Sequence, residues 1–187
     1  MAELVSDPSL VPQADLERKY RHELHSNEIL LLAYYIMVVN VEYAYHERMG
    51  GEYVPFEGAV LTDTFQMDEA GDHLDLGDLV ENSERVLRQQ ETPITVVIGN
   101  PPYSAGQHNA NDNNQNEHYP TLEQRIRDTY SAHAVATNKN SLMDSYIEAF
   151  RWASDRIGKE GIVCFVSNAG WLRSEAGAGV RHCFSKE

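Results

Sequence analysis

Pro93-Ile94-Thr95-Val96-Val97-Ile98-Gly99-Asn100-Pro101-Pro102-Tyr103 is the stretch on which the reading of this chain turns. Its first half is a short β-branched run and reads as a buried strand. Its second half, Asn100-Pro101-Pro102-Tyr103, is a stiff tetrad at the carboxyl end of that strand. Neither proline has an N–H and both fix φ, and Pro101 pushes Asn100 towards an extended conformation. The Asn100 carboxamide oxygen is one acceptor, and the Pro101 carbonyl can be a second. Two fixed acceptors can hold both hydrogens of an aromatic amine, favour a pyramidal nitrogen and so free its lone pair. Tyr103 offers a flat aromatic face on which a planar ring could stack. The plainer alternative is a loop whose two prolines only end a strand.

Outward from the tetrad, strands alternate with helices. The pattern predicts helices over 15–20, 29–48, 83–89, 121–133, 141–157 and 174–184. It predicts strands over 21–28, 58–63, 94–98 and 162–166. Asn27 is the candidate N-cap of the long helix, and Gly50-Gly51 stops it. Gly158 and Gly161 bracket a turn. Residues 68–78 read as an acidic loop and 104–120 as a mobile polar loop. The expected fold class is α/β, a mostly parallel sheet with helices on both faces. In such sheets ligands bind outside the carboxyl ends of the strands.

The chain has 187 residues and a net charge of −14, unevenly spread. Residues 1–99 carry 6 basic and 19 acidic side chains, net −13, and 100–187 carry 9 and 10, net −1. A duplex-binding surface should be basic, so a nucleic-acid role requires a gripping surface outside this sequence. Cys164 and Cys183 fit no paired framework, which suits a reducing cytoplasm. The run 29–41 is too short to span a bilayer and reads as core, with Tyr34-Tyr35 and Tyr43 and Tyr45 as packing. The start lacks the basic-then-apolar pattern of a leader. His22 and His25, and His108 and His118, lack a Cys or carboxylate cluster to complete a metal site. Lys139 reads as an exposed lysine, and Trp171 as a core residue that could also stack on a base.

Two carboxylates end predicted strands. Glu28 could accept from both ribose hydroxyls of a nucleoside, or it could be a first-turn carboxylate stabilised by the helix dipole. Asp63 could accept from an adenine amino group with Phe65 packing nearby, or it could form a turn.

The segments Glu23-Leu24-His25-Ser26-Asn27-Glu28-Ile29, Pro55-Phe56-Glu57-Gly58, Gly99-Asn100-Pro101-Pro102-Tyr103-Ser104 and Asn138-Lys139-Asn140-Ser141-Leu142-Met143-Asp144-Ser145-Tyr146-Ile147 resemble the methyltransferase region of Type ISP-like single-chain restriction-modification enzymes. Val166-Ser167-Asn168-Ala169-Gly170-Trp171-Leu172 extends the likeness, which covers nearly the whole chain. The resemblance implies a Rossmann-like domain over 1–187, S-adenosylmethionine as methyl donor and the amino group of adenine in DNA as acceptor. It implies Asn100, Pro101, Pro102 and Tyr103 on the target adenine, Glu28 on the donor's ribose, and Asp63, with Phe65, on the donor's adenine.

One departure bears on that expectation. Such enzymes carry a glycine-rich Asp-Pro-x-x-Gly-x-Gly loop before the first helix. Ser6-Asp7-Pro8-Ser9 has no following glycines, and residues 1–5 look like the tail of the helix after that loop. The expectation is therefore an internal piece without the glycine-loop strand, the C-terminal strands or the target-recognition domain, with apolar sheet edges exposed. Two alternatives stand beside it: an inactive remnant, and a methyltransferase acting on a protein glutamine amide or an RNA base.

Overall fold

The computed structural model describes residues 5–69, 80–102 and 118–187. The chain divides into two compact units, Met1–Met67 with Asp72–Thr92, and Asp68–Gly71 with Pro93–Glu187. The architecture is mixed α/β, with one two-stranded parallel sheet in each unit.

The first unit runs α1 (Gln13–Arg18), a π-type turn (Lys19–Glu23), β1 (Ser26–Glu28), α2 (Leu31–Met49), β2 (Ala59–Leu61) and α3 (Val80–Glu91). The predicted strand over 21–28 is confined to its last three residues, because helical burial wins upstream. Leu16 and Tyr20, four apart, are fully buried. Tyr20 stacks on Tyr45 at 3.8 Å between ring centres and donates to Val54 O at 2.9 Å. Pairs of Lys19 with Glu23 and Arg21 with Glu17 support the same helical spacing. The predicted N-cap also moves: α2 is capped at Leu30 without a side-chain bond, so Asn27 lies in β1 instead. Gly50, at φ 61°, does end the helix.

Core membership on α2 differs from expectation. Val41, Ala44 and Tyr45 are buried, but Leu32, Tyr35, Val39 and Tyr43 are exposed, Leu32 by 72%. Hydrophobicity brought these residues into a helix, and only one stripe of that helix meets α1 and β2.

The second unit runs β3 (Ile94–Gly99), α4 (Pro120–Ile126) with a π-type turn (Arg127–Ser131), a 3₁₀ turn (Asn140–Met143), α5 (Ser145–Arg156), β4 (Ile157–Phe165), α6 (Gly170–Arg173) and α7 (Ala178–Phe184). The predicted helix over 141–157 breaks at Asp144, which is extended. The one over 174–184 begins only at Ala178, after Gly177 meets the Trp171 backbone too closely for a side chain. Gly158 and Gly161 lie inside β4, in an irregularity between the Ile94–Ile157 and Val96–Ile162 pairs. There a Cβ on Gly161 would sit 2.5 Å from Thr95 O. β3 is not the buried strand expected, since Val96 and Ile98 are exposed, as are Ile162 and Val166 around β4. β-Branching favours a pleated conformation without deciding what covers it. The core gathers instead between helices, around Ile126, Tyr130, Ile147, Phe150 and Val180. Trp171 closes it, edge-on to Phe150 and Phe184 at 5.4 and 5.5 Å.

Candidate functional site

In the first unit β1 and β2 are parallel, with Glu28 opposite Leu61. Thr62 N donates to Glu28 O at 2.9 Å, so the two strands leave the sheet together. The Glu28 carboxylate is half-buried at this carboxyl end. Among the described residues it has no hydrogen-bond or ion-pair partner. The dipole reading of Glu28 fails, because α2 begins at Leu31 and has no acid in its first turn. Asp63 lies two residues beyond β2, and its Oδ1 accepts from Phe65 N at 2.9 Å. That is the turn-forming role, and it fixes Phe65, half-buried, beside the same sheet end. Asn82, at the start of α3, brackets Leu61 by accepting from its N–H and donating to its C=O, both at 2.9 Å.

In the second unit the tetrad leaves β3 beside the end of β4. Gly99 pairs with Phe165, and Val166 N donates to Gly99 O at 3.1 Å. A Cβ at Gly99 would lie 3.1 Å from the Phe165 ring, tighter than ordinary contact, so the residue before the tetrad stays small. Asn100 is exposed rather than turned into the core, Pro101 is buried and anchors the loop, and Pro102 is exposed. Tyr103 and residues 104–117 of the predicted loop lie outside the described residues, as do 70–78 of the acidic loop. Pro120, expected to end the polar loop, opens α4.

Three supporting residues of this unit were not singled out in the sequence. Glu69, buried, accepts from Thr121 N at 2.8 Å and Leu122 N at 2.9 Å, satisfying two first-turn donors of α4 from a distant segment. In composition it was one acid of an acidic run. Asn168 Oδ1 accepts from Gly170 N at 2.8 Å, shaping the turn after β4. The Tyr146 hydroxyl is held by Asn168 and the Trp171 backbone, while burial pushes its pKa up. Behind the sheet, Arg151 is 3% exposed and bridges Asp155 and Glu187 at 2.9 and 2.7 Å. Its guanidinium carbon sits 5.3 Å from the Tyr130 ring centre. Burial works to raise the Asp155 pKa, but Arg125 and Arg151 outweigh it and hold the carboxyl below the usual range.

Among the described residues no His, Cys, Asp and Glu cluster could hold a metal ion, and no helix is long and apolar enough to cross a membrane.

Comparison with known proteins places this geometry. Among curated proteins no sequence matches. Solved structures do. A nuclease-deletion mutant of the Type ISP restriction-modification enzyme LlaGI, in complex with a DNA substrate mimic, is 45% identical with a TM-score of 0.86. It is matched over 97% of this chain and 15% of its own. The ATP-dependent Type ISP enzyme LlaBIII bound to DNA is 44% identical with a TM-score of 0.85, over 97% and 12%. The DrdV–DNA complex is 44% identical with a TM-score of 0.84, over 97% and 17%. The chain thus spans 12 to 17% of the length of these three proteins. The profile of the Eco57I restriction-modification methylases matches residues 61–187, more than half of the sequence. The chain belongs to the Eco57I restriction-modification methylase family.

Proposed function

We propose that this chain contributes the target-base loop and part of the donor site to an adenine-specific DNA methyltransferase of a restriction-modification system. The observation that carries the reading is the exposed Asn100 carboxamide at the carboxyl end of β3, with Pro101 buried beneath it. A carboxamide aimed at the core would have left nothing to hold an amine. We read the fold class as Rossmann-like and mostly parallel, the protein as cytoplasmic, and DNA as gripped by polypeptide beyond this sequence. All three structural neighbours are complexes with DNA or a DNA substrate mimic, which supports that partner.

Glu28 fits a donor nucleoside. It is a half-buried carboxylate at a strand carboxyl end, with no partner among the described residues to compete for ribose hydroxyls. S-adenosylmethionine, when bound, supplies an electrophilic methyl group. Asp63, whose Oδ1 is occupied by Phe65 N, takes the donor's adenine amino group in this reading, and Phe65 packs on the ring. Asn100 Oδ1 accepts one hydrogen of the target amine and the Pro101 carbonyl accepts the other. Pyramidalisation then turns the nitrogen lone pair towards the methyl, and Tyr103 stacks on the base. No nucleophilic side chain is consumed, so rate comes from positioning and fixed dipoles.

The test is Asn100→Ala in the full-length parent enzyme. Methyl transfer to duplex DNA falls by about 100-fold or more, while donor affinity by calorimetry stays unchanged. Near-normal turnover refutes the role of the tetrad. The acidic balance of −14 favours one other acceptor, a protein glutamine amide. Tritiated donor offered with DNA, RNA and protein separates the readings, since label in protein alone overturns adenine.

A further inference from the structure

The first unit holds a cavity of about 400 Å³, within the range of small-ligand sites. It lies at the opposite end of the sheet from Glu28 and Asp63. Of the residues that line it, Arg21, His22 and His25 precede β1, Glu57 and Gly58 precede β2, and Arg85 and Arg88 reach it from the second half of α3.

Its charge runs against that of the chain. Residues 1–99 contain 6 basic and 19 acidic side chains. Three of those six cations, Arg21, Arg85 and Arg88, line this one cavity with His22 and His25, whereas a single acid, Glu57, does. Random placement would put acids here about three times as often as bases. Glu57 spans the two helix arginines, taking Arg85 Nη2 on one oxygen and Arg88 Nη2 on the other, each at 3.2 Å. Arg21 is engaged through Nε to Glu17 at 3.0 Å. Each guanidinium has five N–H donors, and these contacts leave the Nη groups of Arg21 and Nη1 of Arg88 without a partner among the described residues. The carboxyl end of α3, which would repel an anion, is closed off. Thr92 N donates to Arg88 O and Gln89 O at 3.1 and 3.2 Å, and Thr92 Oγ1 donates to Arg88 O at 2.7 Å.

We propose that this cavity binds a phosphate group. Arg21 and Arg88 grip its oxygens, Arg85 adds charge from the wall, and Glu57 holds the two helix arginines in place while competing with the ligand. Planar guanidinium forks suit a phosphate better than a halide or a lone carboxylate. The proposal is independent of the methyl-transfer reading, because none of these residues belongs to the tetrad or the donor site.

The test is titration of the ¹⁵N-labelled 187-residue chain by NMR, at fixed ionic strength. The probes are inorganic phosphate, a 5′-mononucleotide, and a short DNA duplex carrying only phosphodiesters. Saturable shifts confined to residues around Arg21, Arg85 and Arg88 are expected. A stronger response to the mononucleotide than to the duplex identifies a free phosphomonoester as ligand, and the reverse identifies a nucleic-acid backbone. Arg88→Gln, at an exposed position that folding tolerates, weakens phosphate binding about tenfold. Glu57→Gln removes the competitor and tightens it. Lys159→Gln, exposed in the other unit, changes nothing. Equal shifts with chloride, or equal weakening by Lys159→Gln and Arg88→Gln, overturn the proposal, as does weaker binding in Glu57→Gln.

Discussion

Asp155→Asn tests what holds the helices behind the target loop. The Asp155 carboxylate accepts from Arg125 Nε and Nη2 at 3.1 and 2.7 Å and from Arg151 Nη2 at 2.9 Å. It thereby ties α4 to α5. The substitution keeps the shape and removes the charge. Stripping a partner from a fully buried ion pair costs about 3–5 kcal/mol. Here Arg151 keeps Glu187, and Asp155 is 32% exposed, so half of that applies, about 2 kcal/mol. The more exposed Arg125 contact adds about 0.5 kcal/mol. For a unit of roughly 100 residues this lowers Tm by about 10 °C or more at neutral pH. The pH dependence has a fixed sign. The folded-state pKa of Asp155 lies below its ordinary 3.8, so its contribution is fully present above that value and disappears as pH falls through the lower folded value. The gap between wild type and variant is therefore constant from pH 7 to about pH 5 and closes below about pH 4. Melting followed by circular dichroism across that range measures it. A Tm loss under about 3 °C, or a gap that widens on acidification, refutes the account.

Glu69→Gln leaves the fold intact but weakens the acceptor for two first-turn donors, costing about 1–2 kcal/mol. Amide exchange at Thr121 and Leu122 accelerates, and unchanged protection there counts against the anchor. On α2, Leu32→Gln changes the urea midpoint by no more than about 0.5 kcal/mol equivalent, whereas Val41→Ala costs about 2 kcal/mol. Equal losses at the two positions mean that the exposed stripe is covered in solution.

What could be read in advance was local. The order of strands and helices, the stop at Gly50, and the tetrad at the end of β3 all follow from residue type and spacing, and each is found. Boundaries failed where distant packing decided. The strand expected from Arg21 gave way to a helical turn because Tyr20 had Tyr45 and Phe56 to reach, and neither neighbour is visible from positions 15–28. Burial failed for a related reason. Val96, Ile98 and Leu32 are apolar, and apolarity chose their secondary structure, but coverage depends on which surfaces exist to meet them. The supporting residues were hidden in other ways. Arg151 reads as one more surface cation on an amphipathic helix until Tyr130, Asp155 and Glu187 are seen to converge on it.

Glu28 illustrates how a small shift in a boundary decides between chemistries. If the helix had begun at Ile29, a carboxylate at 28 would sit against its first unpaired N–H groups and be stabilised there. The helix begins at Leu31 instead, and Leu30, not Glu28, is its cap. The carboxylate is then partly withdrawn from water without a described donor to replace the lost hydration, an arrangement that costs about 1 kcal/mol when nothing is bound. Asp63, by contrast, spends one oxygen on Phe65 N and is already of use to the fold. Of the two acids at this sheet end, Glu28 has more to gain from a ligand's hydroxyls. Its removal should therefore weaken donor binding while raising the stability of the unliganded protein by up to about 1 kcal/mol, and removal of Asp63 should weaken both.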